Sequence, residues 1–365
     1  MKVLLVSNMY PDSFNPQYGI FVKNSEEILV NNNIVVEKVV CTKKKGKFPK
    51  ILQYISFYIN VFFKVLMNKY DCIYVHYLSH SSLPLIIVKK MKRNIKIISN
   101  VHGSDVIPQN KKQEALNGLA RACANLSEFV IVPSNYFKRE LINRWKVDSE
   151  RIFIFPSGGI NNKRFKPKSN KYELKNKLGL SKNYKYIGFV GRLDKGKGWD
   201  ILLKSIWSLK DKSYFNDYRF VFVGNGSEEE IFNSMIKNLG LDNSITHINF
   251  LNHSDLADLY NCLEIFCFPT QVNESLGLVG IEALACGIPV IASNFAGPTD
   301  YIIDFCNGYL AEKGNYKDFS AKLEMYILLP EHEKDKIKES ALKSSQKYFR
   351  ENIESSLIDL FNNFK

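Results

Sequence analysis

Short apolar runs of strand length alternate with longer segments of helical period along most of this chain. Residues 3–7, 35–41, 72–76, 96–101, 129–132 and 152–155 read as strands, and 21–31, 51–68, 83–91, 114–126 and 135–145 as the helices between them. A polar stretch at 161–170 has the composition of a linker. The alternation then restarts, with strands at 186–190, 219–223, 246–250, 265–268 and 289–292 and helices near 200–210, 228–239, 255–261 and 277–286. From about residue 317 the pattern is helical, with no further strong strand. Strands alternating with helices predict parallel sheets covered by helices on both faces. The expected fold is α/β, with two doubly wound domains. Their boundaries are expected at 1–165 and 166–345, with a last helix at 346–365 crossing back to the first domain.

A length of 365 residues agrees with two domains, and 45% hydrophobic with 24% charged residues is the profile of a folded chain. The net charge of +13 is unevenly spread. Residues 1–165 hold 25 basic and 11 acidic side chains, whereas 166–365 hold 25 and 26. The positive field therefore belongs to the first half. Seven cysteines show no metal-ligand spacing and read as buried free thiols. The apolar run at the N-terminus is too short for a signal peptide. No stretch of 18 apolar residues lacks a polar interruption, so no spanning helix is expected.

The turn after the first strand, Ser7-Asn8-Met9-Tyr10-Pro11, lacks GxGxxG, which disfavours a nicotinamide dehydrogenase. No P-loop occurs either. The second half holds sharper motifs. The strand ending at Val190 runs into Gly191-Arg192-Leu193-Asp194-Lys195-Gly196-Lys197-Gly198, where a helix begins. Arg192 offers a planar fork for phosphate oxygens, Lys197 a mobile point charge, and the helix start adds unpaired N–H groups. After the strand at 265–268, Glu274 lies in a loop and Glu282 lies inside the following helix, whose start is near Gly277 and Leu278. Ionised carboxylates only accept hydrogen bonds, so the pair suits a hydroxyl-rich ligand, and the helix start between them suits an anion.

The spacing of Glu274 and Glu282 resembles the EX7E motif of the family 4 retaining glycosyltransferases, which have the GT-B fold. Other segments are similar to that family in the expected order: Tyr10-Pro11 with Gly19-Ile20-Phe21, Val101-His102-Gly103-Ser104-Asp105, Phe155-Pro156-Ser157-Gly158-Gly159, Gly191-Arg192-Leu193, Val223-Gly224-Asn225-Gly226 and Glu282-Ala283-Leu284-Ala285-Cys286-Gly287. The resemblance implies two Rossmann-like domains facing a central cleft. It implies that Glu282 binds the ribose hydroxyls of a nucleotide sugar and Glu274 the hydroxyls of its sugar. Arg192 and Lys197 would hold the diphosphate and stabilise its developing charge. Backbone N–H groups at Gly277, Leu278 and Gly19 would assist, and His102 would orient the donor sugar. No cofactor and no metal is implied; the co-substrate is expected to be a UDP-sugar rather than a GDP-sugar. Leu276, Gly297-Pro298 and Asp300 depart from the family pattern and leave sugar preference open. Asp105 and Asp12 are the candidates for a carboxylate nucleophile, against a front-face route in which the leaving phosphate helps deprotonate the acceptor.

Five lysines between 43 and 50 run into the aromatic helix at 51–68. This combination suits an anionic membrane surface, and burial of the helix against the sheet is the alternative. No nucleic-acid motif is present. The expectation is a peripheral protein at the cytoplasmic face of a membrane, using a glycan or lipid-linked acceptor. A nucleotide-sugar epimerase and a non-catalytic binding protein are the rivals.

Overall fold

The computed structural model describes residues 1–363 apart from residue 17. It divides into two compact units: Met1–Gly159 together with the C-terminal segment from Glu351, and Ile160–Arg350.

In the first unit the elements run β1 (Lys2–Ser7), α1 (Ile20–Asn31), β2 (Val35–Val40), α2 (Lys47–Met67), β3 (Cys72–His76), α3 (Leu78–Met91), β4 (Ile97–Asn100), α4 (Lys111–Leu126), β5 (Phe129–Val132), α5 (Asn135–Trp145) and β6 (Ile152–Ile154). The six strands form one parallel sheet in the order β2-β1-β3-β4-β5-β6. Successive side chains of a strand point to opposite faces. Leu4 and Val6 therefore pack with Phe57, Val61, Leu85, Phe137 and Trp145, while Val3 and Leu5 pack with Val22, Ile28 and Leu29.

The second unit contains α6 (Lys171–Lys177), β7 (Lys185–Val190), α7 (Trp199–Ser208), β8 (Tyr218–Val223), α8 (Glu229–Leu239), β9 (Ile245–Ile248), α9 (His253–Cys262), β10 (Leu263–Phe268), α10 (Leu278–Ala285), β11 (Val290–Ser293), β12 (Gly308–Ala311), α11 (Tyr316–Leu328) and α12 (Glu331–Ser345). Its sheet is also parallel, in the order β12-β11-β10-β7-β8-β9. The chain then returns to the first unit as α13 (Arg350–Asn362). There Ile353, Leu357, Leu360 and Phe361 close the face that holds Val3 and Leu5, with the Phe361 ring 5.1 Å from that of Tyr74.

Both sheets are doubly wound. Chain order reverses between β1 and β3 in the first and between β7 and β10 in the second. Loops leave opposite ways at such a reversal and open a crevice beyond the strand ends, which is where ligands bind in this architecture.

Some expectations are corrected. Residues 160–165 and 346–350 belong to the second unit: Ile160 bridges Phe349 and Phe165 is buried in that unit's core. Helix α3 starts at Leu78 rather than 83 and carries Pro84 in its interior. β12, unmarked by any strong apolar run, forms by pairing with β11. Six cysteines are buried, but Cys306 is exposed. Helix α2 is, among the described residues, the one helix long and apolar enough to cross a membrane by length and composition. Only Phe57, Val61 and Val65 of it are buried, and their four-residue spacing seats one stripe of the helix on the first sheet.

Candidate functional site

In the second unit the site residues gather at the β7/β10 reversal. Lys197, in the loop after β7, places Nζ 2.5 Å from Oε1 of Glu274, in the loop after β10. The same carboxylate oxygen is 3.4 Å from the Thr270 hydroxyl. Backbone contact brings the loops together: the Gln271 N–H donates to the Gly196 carbonyl at 2.8 Å. Gly198 makes the approach feasible. It starts α7 with φ +85°, and a Cβ there would lie 1.9 Å from the Pro269 carbonyl oxygen.

Arg192 pairs with Asp194 while most of its side chain stays exposed. Asp194 also accepts from the Ser227 N–H at 2.8 Å and the Ser227 hydroxyl at 2.9 Å. The Ser227 backbone bond, more than the neighbouring charges of Arg192 and Lys197, holds its carboxyl below the usual carboxylate range. It thus ties the loop after β7 to the loop after β8.

Glu282 lies one turn into α10 and is 9% exposed. The Tyr260 hydroxyl donates to its Oε2 at 3.2 Å. Burial pushes the Glu282 carboxyl up to about 7, against the opposing pulls of the Tyr260 hydrogen bond and the Arg164 charge. A buried carboxyl with one donor has spare acceptor capacity for a ligand hydroxyl pair. Gly277 caps α10 in the left-handed conformation, and Tyr301 fixes it by donating to the Gly277 carbonyl at 3.0 Å. Leu276 is fully buried in the core, and the Gly297 N–H donates to the Glu274 carbonyl at 3.0 Å. These two departures from the family pattern therefore shape the backbone that carries Glu274.

The first unit holds a different set. His102, after β4, has Nε2 3.0 Å from Nδ1 of His76, at the end of β3, and the rings stack at 5.2 Å. The Phe21 ring packs 4.1 Å from His102. Gly19 starts α1 just before Phe21, with φ +73°; a Cβ there would fall 2.6 Å from the Met9 carbonyl carbon. Burial lowers His102 to about 3 and pushes His76 well down, so both rings are neutral at ordinary pH.

The two candidate nucleophiles differ: both oxygens of Asp105 hold backbone donors, whereas the hydrogen bonds of Asp12 all fall on Oδ1. The Asp105 carboxylate accepts backbone N–H bonds from His102 at 3.1 Å, Gly103 at 2.8 Å and Leu78 at 3.3 Å, and burial raises its pKa. Asp12 accepts from the N–H groups of Phe14 at 3.0 Å and Asn15 at 2.7 Å. Each carboxylate organises its own loop.

The fold thus joins Lys197 to Glu274 and sets Arg192 on the loop that carries Lys197. It places Glu282 with Gly277 and Leu278 on α10, and His102 beside the start of α1. Asp194, Tyr260, Tyr301 and His76 were not singled out from the sequence. Asp194 could have been, as the acid between two cations in one motif. Tyr260 lies 22 residues from Glu282 with no local signal linking them.

Residues 170–343 match the family described as Glycosyl transferases group 1, and residues 3–158 match Glycosyltransferase Family 4. An uncharacterized glycosyltransferase of Haemophilus influenzae is 37% identical over 158 residues, 43% of this chain and 43% of that protein. The capsular polysaccharide biosynthesis glycosyltransferase CapM of Staphylococcus aureus is 31% identical over 202 residues, 54% of this chain and 52% of CapM. The matched segments thus span about half the length of these relatives. Among solved structures, Anabaena HepE in complex with UDP and glucose is similar with a TM-score of 0.78 at 18% identity, covering 100% of both chains. That likeness shows the fold, GT-B. With the two family matches together spanning most of its length, the chain belongs to family 4 of the glycosyltransferases.

Proposed function

We propose that this protein transfers a sugar, with retention and without a metal, from a nucleoside-diphosphate sugar to a hydroxyl of a lipid-linked glycan in surface polysaccharide assembly. The observation that carries the reading is the Lys197–Glu274 contact at the β7/β10 reversal, with Glu282 on the helix that follows. A lone ammonium–carboxylate contact at a strand-end crevice is a site whose charges can be re-paired by a ligand. On donor binding, Lys197 leaves Glu274 for the diphosphate, which frees Glu274 to accept from sugar hydroxyls. Arg192, already exposed, adds its guanidinium fork. Glu282 accepts from the ribose diol. As the bond to the anomeric carbon breaks, negative charge grows on the departing phosphate, and the two cations stabilise it more in the transition state than before it.

UDP is the proposed nucleotide; the UDP-bound neighbour supports it. The capsule relative supports a polysaccharide acceptor. Occupation of both Asp105 oxygens by backbone donors favours the front-face route over a covalent intermediate on that residue. The acceptor is assigned to the first unit, at the inner face of a membrane.

The test is a panel of nucleotide sugars offered to the purified protein with extracted lipid acceptors, scoring release of nucleoside diphosphate. Release with one donor, dependent on acceptor, is expected. No turnover with any donor, or a changed sugar nucleotide formed without acceptor, would sink the transferase reading.

A further inference from the structure

Helix α2 has apolar residues on two opposite faces. The inner stripe, Phe57, Val61 and Val65, is buried on the sheet. At 100° per residue, the positions half a turn away are Phe48, Leu52, Ile55, Ile59 and Phe63. Each of these is at least 51% exposed. A solvated helix would carry polar residues there. The stripe continues to Met67 and is about 28 Å long at 1.5 Å per residue. Beside it, α3 exposes Leu83, Ile87 and Met91, again at four-residue spacing. The two helices leave an apolar notch of about 230 Å³ lined by Ile59, Phe62, Phe63, Leu83 and Ile87.

Basic residues border this face. Lys43, Lys44, Lys45, Lys47 and Lys50 are all exposed at the start of α2. Lys90, Lys92 and Arg93 are exposed at the end of α3. No acidic residue occurs between Glu37 and Asp71. A contiguous apolar patch of this kind marks a binding surface. The border selects its occupant. A second copy docked face to face would bring lysine clusters together. An anionic bilayer meets the lysines with phosphate and the stripe with acyl chains.

We propose that the α2–α3 face seats the protein on an anionic bilayer, with α2 in the interfacial plane, the outer stripe among acyl chains and one chain in the notch. The inner stripe holds α2 against its sheet, so the helix lies on the membrane instead of crossing it. The proposal rests on the lipid-linked acceptor reading and supplies its surface.

The experiment is co-sedimentation of the full chain with vesicles of phosphatidylcholine and phosphatidylglycerol, 3:1, and of phosphatidylcholine alone. The anionic vesicles are expected to bind it at least about tenfold more strongly, since each lysine near the surface is worth about fivefold. Ile55→Asn, Ile59→Asn and Phe63→Asn together are expected to cut that binding at least about tenfold, and so is replacement of the five lysines by Gln. A single cooperative thermal unfolding transition, near the wild-type midpoint, shows that the variants are folded. Alkaline carbonate is expected to release bound protein. Equal binding by wild type and the asparagine variant would overturn the proposal. So would retention after carbonate, which means a spanning helix, or a dimer that the asparagine changes dissociate. Vesicle binding lost in the variants, with no sugar turnover at all, would uphold this surface and defeat only the transferase reading.

Discussion

At the carboxyl edge of the second sheet, Lys197 pairs with Glu274 and Arg192 with Asp194, and burial pushes the Glu282 carboxyl up to about 7. At the same edge of the first sheet, His76 and His102 are neutral and stacked, and the single carboxylate between them and α3, Asp105, is spent on backbone N–H groups. One topology carries two chemistries. On the proposed reading, the ionic edge exchanges its internal pairs for a diphosphate, while the neutral edge offers hydrogen bonds suited to uncharged hydroxyls. The first unit's lysine clusters lie elsewhere, exposed at 43–50 and at the end of α3. A net charge of +13 for the whole chain hides this division.

The contrast can be broken most sharply at Lys197. Lys197→Ala is expected to lower turnover about 10²–10³-fold, the usual loss when one group that stabilises developing charge is removed. Initial rates of nucleoside diphosphate release measure it, and a rate within a few fold of wild type would mean the ionic edge is not the catalytic one.

Glu282→Gln comes next, with two readouts. Nucleotide affinity by calorimetry at pH 8 should fall about tenfold as an ionised acceptor is lost. Stability gives the sign. The folded carboxyl titrates at about 7, above its value in the unfolded chain. The folded state therefore holds the extra proton between those values, and the wild type loses stability as pH rises from about 4.5 through 7. Relative to the Gln variant the loss by pH 8 should be roughly 3–3.5 kcal/mol. Parallel stability curves for the two proteins from pH 5 to 8 would contradict the buried-carboxyl picture.

Asp105→Asn should cost about 1–3 kcal/mol in urea unfolding through loss of acceptor capacity for three N–H groups, and leave nucleotide affinity unchanged. A weakened nucleotide would blur the contrast between the edges. The smallest effect concerns His102. Because it stays neutral down to about pH 3, His102→Gln should lower turnover without moving the pH profile between 5 and 8. A profile that lost a limb near 6 would show a titrating histidine.

Much of this was written locally. The alternation of strands and helices, the Gly191–Gly198 motif and the Glu274/Glu282 spacing are properties of short windows, and each formed where it was read. What was not legible depends on partners far along the chain. β12 exists because β11 offers it an edge, and the start of α3 five residues early depends on Asp105, which accepts from the Leu78 N–H. The choice between burial and exposure for α2 also needed the fold. Its composition suits either, and only the seating of Phe57, Val61 and Val65 leaves Ile55, Ile59 and Phe63 outside.

By itself, then, the sequence determined the two-domain α/β plan, the split of charge between halves and the identity of the cations and carboxylates, since periodicity and composition act over a few residues. Tertiary structure alone decided which of those groups meet. Lys197 reaches Glu274 across 77 residues and Tyr260 reaches Glu282 across 22, because parallel crossovers carry distant loops to one sheet edge. It alone decided that Glu282 titrates near 7, because desolvation belongs to the packed site and not to the residue.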